Sequence, residues 1–190
     1  VARLPQELVP PTLGKLWKKR ELFLRLARVG AKERGDGAVT EVVEAPRLTR
    51  LPALRTWKRD GGRFFTLPLV STRHPETHVP NLGMYRIQVY DDATTGLHMQ
   101  IGKGGGFHLA AAEALDRPLP VVIHLGGPPA LTLAAIAPLP ENVPETLVAS
   151  LVLGERLGLA HNRHNELPLF ADAEVALVGE VLPRERRPEG

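Results

Sequence analysis

The chain has 190 residues, is 43% hydrophobic and carries a formal net charge of +3, so it can bury one good core and lacks the charge excess of a nucleic-acid binder. It contains no cysteine, which excludes disulfides and thiolate chemistry. No apolar run reaches the roughly 18 residues of a membrane helix and no signal-peptide pattern is present, so the expected setting is cytoplasmic.

In chain order, residues 1–47 read as an amino-terminal helical segment and linker. Leu13, Leu16, Trp17, Leu24 and Ala27 recur at helical spacing over 13–29, and a charged, glycine-bearing link follows from Lys32 to Gly37. A mainly β region spans 48–182, with strands expected near 64–70, 82–90, 95–101, 119–126, 156–160 and 174–182. Helices are expected near 107–116, 129–136 and 144–153. The turn from Asp91 to Gly96 joins two strands as a hairpin. Residues 183–190 form a tail. The basic clusters Lys18-Lys19-Arg20 and Arg184 to Arg187 have no interleaved aromatics, so neither RNA nor DNA is expected as a partner.

Several polar residues stand out from this pattern. Over 82–90, strand periodicity places Arg86 on one face with Leu82, Met84, Gln88 and Tyr90, and puts Gly83, Tyr85, Ile87 and Val89 on the other. A guanidinium among partly apolar neighbours needs carboxylate or phosphate oxygens, supplied either by a structural ion pair or by a ligand. Asn81 offers a neutral oxygen in the turn before it. The run Gly102-Lys-Gly-Gly-Gly106 before a helix could bring backbone N–H groups to an anion, although it matches no Walker or dinucleotide fingerprint. His108 can be a metal ligand or an ordinary polar residue at a helix start, and Glu145, after Pro144, suits the positive end of a helix dipole. His161, His164 and Glu166 have metal-like spacing, but with Asn162 and Asn165 among them they read as a solvated connector.

The order of these residues resembles the central domain of the UbiD-type decarboxylases, the 3-polyprenyl-4-hydroxybenzoate carboxy-lyase family. The resemblance runs from about Ala45 and is carried by Leu51-Pro-Ala-Leu-Arg-Thr-Trp57, Asp60 to Val70, Asn81-Leu-Gly-Met-Tyr-Arg86, Thr94-Thr-Gly-Leu-His98, Gly127 to Ala134, Ala137 to Glu141 and Glu185 to Gly190. It implies an α+β fold, a split β-barrel flavin-binding domain with flanking helices, and a non-oxidative decarboxylase of an aromatic or α,β-unsaturated acid that uses prenylated FMN. A quinone precursor is one such acid. The family's metal ligands fall on Asn81, His108 and Glu145, which suit Mn or Mg, with K as a further candidate, bridging to the flavin phosphate. Gly83 and Met84 join them at the cofactor. Arg86 is implied to hold the substrate carboxylate and Glu174 to pair with it. Implied partners are the acid, a flavin prenyltransferase as cofactor source, and further copies of the chain.

The sequence also departs from the family. The usual second glutamate of the acidic strand, the proton donor, is Val178 in Glu174-Val-Ala-Leu-Val178-Gly179, and Glu180, on the same face about 7 Å farther along a strand, substitutes only if the strand shifts or a water relays the proton. Gly102 and Gly104 replace a histidine-rich form around Lys103, and Ala160-His-Asn-Arg-His164 replaces a lysine–cysteine segment. Family members begin with a longer α/β segment and continue beyond the position of Gly190 into a carboxyl-terminal domain, so the chain is read as an excised piece or a reduced homologue. Val178 favours an alternative, a flavin-binding or scaffold homologue without decarboxylase activity. A third reading, an FMN oxidoreductase, is disfavoured by the Asn81, His108 and Glu145 set.

Overall fold

The computed structural model describes residues 28–100, 102, 104–140 and 143–189. The helix expected over 13–29 therefore lies almost wholly outside the described residues, as do Lys103 and Glu141. The elements are β1 (Ala31–Gly35), β2 (Arg63–Phe65), β3 (Leu69–Arg73), β4 (Pro80–Met84), β5 (Ile87–Val89), β6 (Thr95–Leu97), α1 (Gly104–Ala114), β7 (Leu119–Leu125), α2 (Pro129–Ile136), α3 (Glu145–Leu153), β8 (Leu157–Ala160), β9 (Leu169–Phe170) and β10 (Val175–Val181). The molecule is mixed α+β. Its strands form three sheets, ordered β10-β7-β3-β4, β2-β5-β6 and β1-β8-β9, with no closed barrel among the described residues.

The four-stranded sheet is covered on both faces because its central strands are apolar at successive positions. Leu119, Val121 and Ile123 of β7 join Val70, Phe65, Tyr85, Ile87 and Ala112 of α1 in one cluster. Leu69 and Leu82 face the opposite way onto Ala130, Leu131 and Ala134 of α2, Ala149 of α3, and Phe170. Val122 belongs to a third cluster with Ala160, Leu167, Leu169 and Ala171. Continuous apolar strands of this kind mark a sheet buried on both sides.

Three expected strands needed correction. The stretch 64–70 is two strands in different sheets, β2 and β3, separated around Pro68, whose missing N–H cannot extend a ladder. The stretch 82–90 breaks at Tyr85-Arg86, so β4 pairs with β3 while β5 pairs with β2 and β6. The expected alternation carries on through the break, with Leu82 and Met84 in the opposite cluster from Tyr85, Ile87 and Val89, but pairing changes sheet there. Tyr85, Ile87 and Val89 are buried as one set, whereas the Arg86 side chain is 60% exposed. The strand expected over 95–101 stops at Leu97.

The segment read as a link contains β1, which pairs in parallel with β8 from Ala31↔Leu157 onward. All five of its residues are exposed, so no hydrophobic pattern marks it. Helix α1 starts at Gly104, three residues before the expected start, and includes three consecutive glycines. The hairpin at 91–96 is present, with Val89 opposite Thr95 and Asp91 Oδ1 accepting from the N–H groups of Ala93 and Thr94 at 2.8 and 2.7 Å. The connector at 161–166 is largely solvated, and the buried Asn162 donates to Asn165 Oδ1 and Leu167 O at 2.7 and 2.9 Å.

Candidate functional site

β4 is an edge strand, and both α1 and α3 contact it. Its residue Asn81 lies opposite Thr72 of β3. Thr72 Oγ1 is 2.9 Å from His108 Nδ1 and accepts a long 3.5 Å contact from Asn81 Nδ2. At the next residue, the Leu82 N–H donates to Glu145 Oε2 at 3.3 Å. An edge strand leaves N–H groups unpaired, and a carboxylate on the first turn of α3 satisfies this one. Asn81, His108 and Glu145 therefore gather at one end of one strand, although 64 positions separate the first from the last.

Close packing makes this grouping possible. A β-carbon on Gly104 would sit 1.9 Å from Asn81 Oδ1, so only glycine lets α1 approach the asparagine this closely. Gly105 N donates to Tyr85 Oη at 3.1 Å, and a β-carbon on Gly83 would strike the Tyr85 ring at 2.5 Å. Gly83 thus serves the site by making room. Met84 packs against the cluster that holds Leu69 and Leu82.

The electrostatics are those of groups drawn out of water. Burial, with a smaller effect from His74, holds the His108 imidazole down at about 4, so it is neutral at physiological pH. The same desolvation raises the Glu145 carboxyl above its ordinary range. His74 meets His108 edge-on with ring centroids 5.5 Å apart. When His108 Nδ1–H donates to Thr72, its Nε2 lone pair is free for a cation, the usual way an outer partner selects the ligating nitrogen. With Asn81 Oδ1 and the second Glu145 oxygen, the set offers one nitrogen and two oxygen donors, which fits a hard or borderline divalent ion. Among the described residues no cluster of three or more His, Cys, Asp or Glu side chains could hold a metal, and this set has only two of those types.

The remaining candidates lie elsewhere. Leu69 faces Met84 on one side and His124 on the other, and His124 faces Ala176, so one row crosses the sheet at the end opposite Asn81. Arg86 lies beyond that row past β4, and Glu174 beyond it before β10. β4 and β10 are opposite edges of the sheet, roughly 14 Å apart at about 4.8 Å per strand.

Arg86 pairs with Glu189 and not with the expected Glu174: Nε donates to Oε1 at 2.6 Å and Nη2 to Oε2 at 2.8 Å. Glu174 is exposed, with its carboxyl group beside Gly126. Val178 packs against the Val122, Ala160 and Leu169 cluster. Glu180 is exposed, opposite Pro120 in register.

Sequence reasoning missed a cavity of about 420 Å³ lined by Leu67, Gly126, Gly127, Pro129, Thr132 and Leu133. It adjoins a smaller one of about 180 Å³ that shares Leu67 and Gly126. Gly126 and Gly127 both have positive φ, at 72° and 100°, where the chain leaves β7 for α2. The Gly-Gly-Pro-Pro run at a strand–helix junction was the available signal. Thr72, which links Asn81 to His108, gave none, because a threonine in a strand is ordinary by type.

Comparison with known proteins bears on this arrangement. The family model of the UbiD 3-octaprenyl-4-hydroxybenzoate carboxy-lyase Rift-related domain matches residues 31–190. A Chlamydia pneumoniae protein named as one of the subunits of a 4-hydroxybenzoate decarboxylase is 48% identical over 181 residues, 95% of this chain and 31% of that protein. The chain thus spans about a third of the length of such relatives. Among solved structures, the UbiD-class enzyme HmfF from Pelotomaculum thermopropionicum, an evolved dimeric form in complex with prFMN, superposes with a TM-score of 0.79 at 27% identity. That match covers 88% of this chain and 41% of HmfF. The vanillic acid decarboxylase of Sedimentibacter hydroxybenzoicus in its closed form gives a TM-score of 0.78 at 28% identity, covering 90% of this chain and 39% of that one.

Proposed function

Because the chain belongs to the UbiD carboxy-lyase family, we propose that it is the flavin-binding part of a non-oxidative decarboxylase acting on an aromatic or α,β-unsaturated carboxylic acid. The observation that carries this reading is the meeting of Asn81, His108 and Glu145 at the end of β4. Those side chains would hold Mn or Mg, and the ion would join the protein to the phosphate of prenylated FMN. When bound, that cofactor supplies the electron sink on which carbon dioxide leaves.

The protein's own part is binding, charge neutralisation and proton delivery. The N-terminus of α1, within reach of Asn81 through Gly104, adds backbone N–H groups and a positive dipole end suited to a phosphate. Arg86, more than half exposed, is the residue proposed to receive the substrate carboxylate. Glu174, beside the Gly126 cavity, is proposed to act at the opposite wall of the cleft, and the open sheets read as the halves of a split barrel that further chain would complete. A quinone precursor as substrate, assembly with further copies, loading by a flavin prenyltransferase and a cytoplasmic setting belong to the same proposal.

One observation favours a second reading, a flavin-binding homologue without decarboxylase activity. Val178, at the position of the family's proton donor, is packed in an apolar cluster, and Glu180 is exposed two residues farther along β10. Co-expression with a flavin prenyltransferase, followed by metal analysis and mass spectrometry of the released cofactor, tests the first reading. Metal and flavin should be retained together by the native protein and lost together in His108→Ala. Wild-type flavin occupancy in a chelated His108→Ala protein would remove the bridging ion. Turnover by the complete polypeptide then separates the two readings.

A further inference from the structure

The turn between β3 and β4 brings a second histidine to the Asn81 end of the sheet. His74 follows β3 directly, is partly buried, and stands edge-on to His108 with ring centroids 5.5 Å apart. Four hydrogen bonds hold it there. His74 N donates to Val79 O at 2.9 Å and His78 N donates to His74 O at 3.0 Å, which closes the turn. The N–H groups of Glu76 and Thr77 both donate to His74 Nδ1 at 3.2 Å. The imidazole thus caps the turn as the oxygen of an asparagine or aspartate commonly does.

These contacts decide where the ring hydrogen lies. A nitrogen that accepts two N–H groups holds a lone pair, so the hydrogen of His74 is on Nε2, which meets no hydrogen-bond partner among the described residues. His108, when it holds a cation at Nε2, has the reverse arrangement, with its Nδ1–H on Thr72 Oγ1. The two neighbouring imidazoles therefore offer unlike groups, a lone pair from one and an N–H from the other. An N–H cannot ligate a cation, but it suits an anion lying beside one.

Resting on the reading of Asn81, His108 and Glu145 as holders of an ion that bridges to a phosphate, we infer that His74 is a phosphate-binding residue: its Nε2–H donates to an oxygen of that phosphate, next to the ion on His108. One rival makes His74 a fourth metal ligand. That role needs a lone pair on Nε2 and so a hydrogen on Nδ1, where the Glu76 and Thr77 N–H groups already point. The other rival makes His74 a cap for the turn and nothing more.

Two substitutions separate the two edges of the ring. His74→Asn keeps an oxygen near the place of Nδ1 and removes the far donor, whereas His74→Gln keeps an N–H near the place of Nε2 and removes the cap. In the complete 190-residue chain with Mn present, the affinity for FMN measured against that for riboflavin, which lacks the phosphate, reports what the phosphate contributes. His74→Asn should melt near the wild type, bind riboflavin equally well and bind FMN about tenfold more weakly, the scale of one charge-assisted hydrogen bond. His74→Gln should melt lower and keep most of the FMN affinity. Calorimetric Mn titration without flavin should not distinguish His74→Asn from the wild type.

Weaker Mn binding by His74→Asn in that titration would establish the metal ligand instead. An Mn-dependent FMN affinity that His74→Asn leaves unchanged would overturn the donor alone and leave the cap. If the wild type binds FMN no better with Mn than after chelation, the bridging ion falls, and the role of His74 falls with it. Should His74→Asn not fold, the wild type labelled with nitrogen-15 and loaded with Mg decides: the His74 Nε2 signal, assigned by its loss in His74→Gln, should shift on addition of FMN and not of riboflavin, and the absence of that shift overturns the donor.

Discussion

The contact between Gly104 and Asn81 is tight enough to decide a substitution. Gly104→Ala would place a methyl group 1.9 Å from Asn81 Oδ1, so either the asparagine or the start of α1 must move. Alanine is otherwise the better helix former, by roughly 1 kcal/mol over glycine. The expected outcome is a chain of near-native thermal stability whose Mn affinity is at least tenfold weaker, on the scale of one displaced ligand. Calorimetric Mn titration beside a melting curve measures both, and unaltered Mn affinity would detach Asn81 from the site.

Glu145 makes the complementary case. Its half-buried carboxyl titrates above the ordinary range, so the folded chain binds protons more tightly than the unfolded one, and stability falls as pH rises through the raised value. In the metal-free chain Glu145→Gln should therefore match or exceed wild-type stability at pH 7, while losing Mn binding. Urea midpoints at pH 7 and pH 5 should show the gap narrowing at the lower pH.

At the scale of elements, periodicity located β7, β8, β10, α2 and α3 closely because each carries a long or unbroken apolar pattern. It failed where pairing and not hydrophobicity makes the strand. β1 has every residue exposed, and its partner β8 lies more than a hundred residues away. It also failed at Tyr85-Arg86, where uninterrupted alternation hid a change of sheet: Tyr85, Ile87 and Val89 stay in one cluster while pairing passes from β3 to β2 and β6. The same break explains why Arg86 looked buried and is not.

Of the site, Asn81, His108 and Glu145 were legible only through a family resemblance, since their types and spacing alone suit helix ends and turns equally well. Thr72 was not legible at all, and Glu189 entered only within the Glu185 to Gly190 motif, with no role assigned. The break gives β5 a distinct burden, because its three residues link β2 to β6 while Ile87 is fully buried among Phe65, Tyr85 and Leu119. Ile87→Ala should cost on the order of 2–5 kcal/mol, the range for truncating a buried aliphatic side chain. A loss below about 1 kcal/mol in urea unfolding would show that this small sheet is not part of the cooperative core.

At the scale of the whole molecule, His124 is a polar link between the four-stranded sheet and the β1-β8-β9 sheet. It sits on β7 with 0% exposure, its Nε2 accepts the Phe170 N–H of β9 at 3.2 Å, and its ring lies 4.4 Å from that of Phe170. Its Nδ1 is buried without a well-formed hydrogen-bond partner, so the Leu69 backbone only partly offsets the cost of a positive charge there. Burial accordingly lowers its pKa to about 4. An unfolded histidine titrates near 6.5, so below that pH the unfolded chain binds the extra proton and the folded chain resists it.

The sign follows directly: stability is complete above about pH 6.5 and is lost as pH falls toward 4, by an amount on the order of 1–3 kcal/mol for this group. His108, depressed to about 4 by burial as well, adds to the same window. The carboxylates held below their ordinary range, Asp91, Asp92, Glu113 and Glu189, lose their contribution only at more acidic pH. A buried histidine between β7 and β9 thus predicts an early acid transition, in which the β9 contact opens before the carboxylates titrate. Urea midpoints measured every half unit from pH 7.5 to 4 should decline through the histidine window, and His124→Gln should flatten that decline even though it is less stable at pH 7. A wild-type profile that stays level down to pH 4.5 would mean that His124 does not stay neutral in the fold.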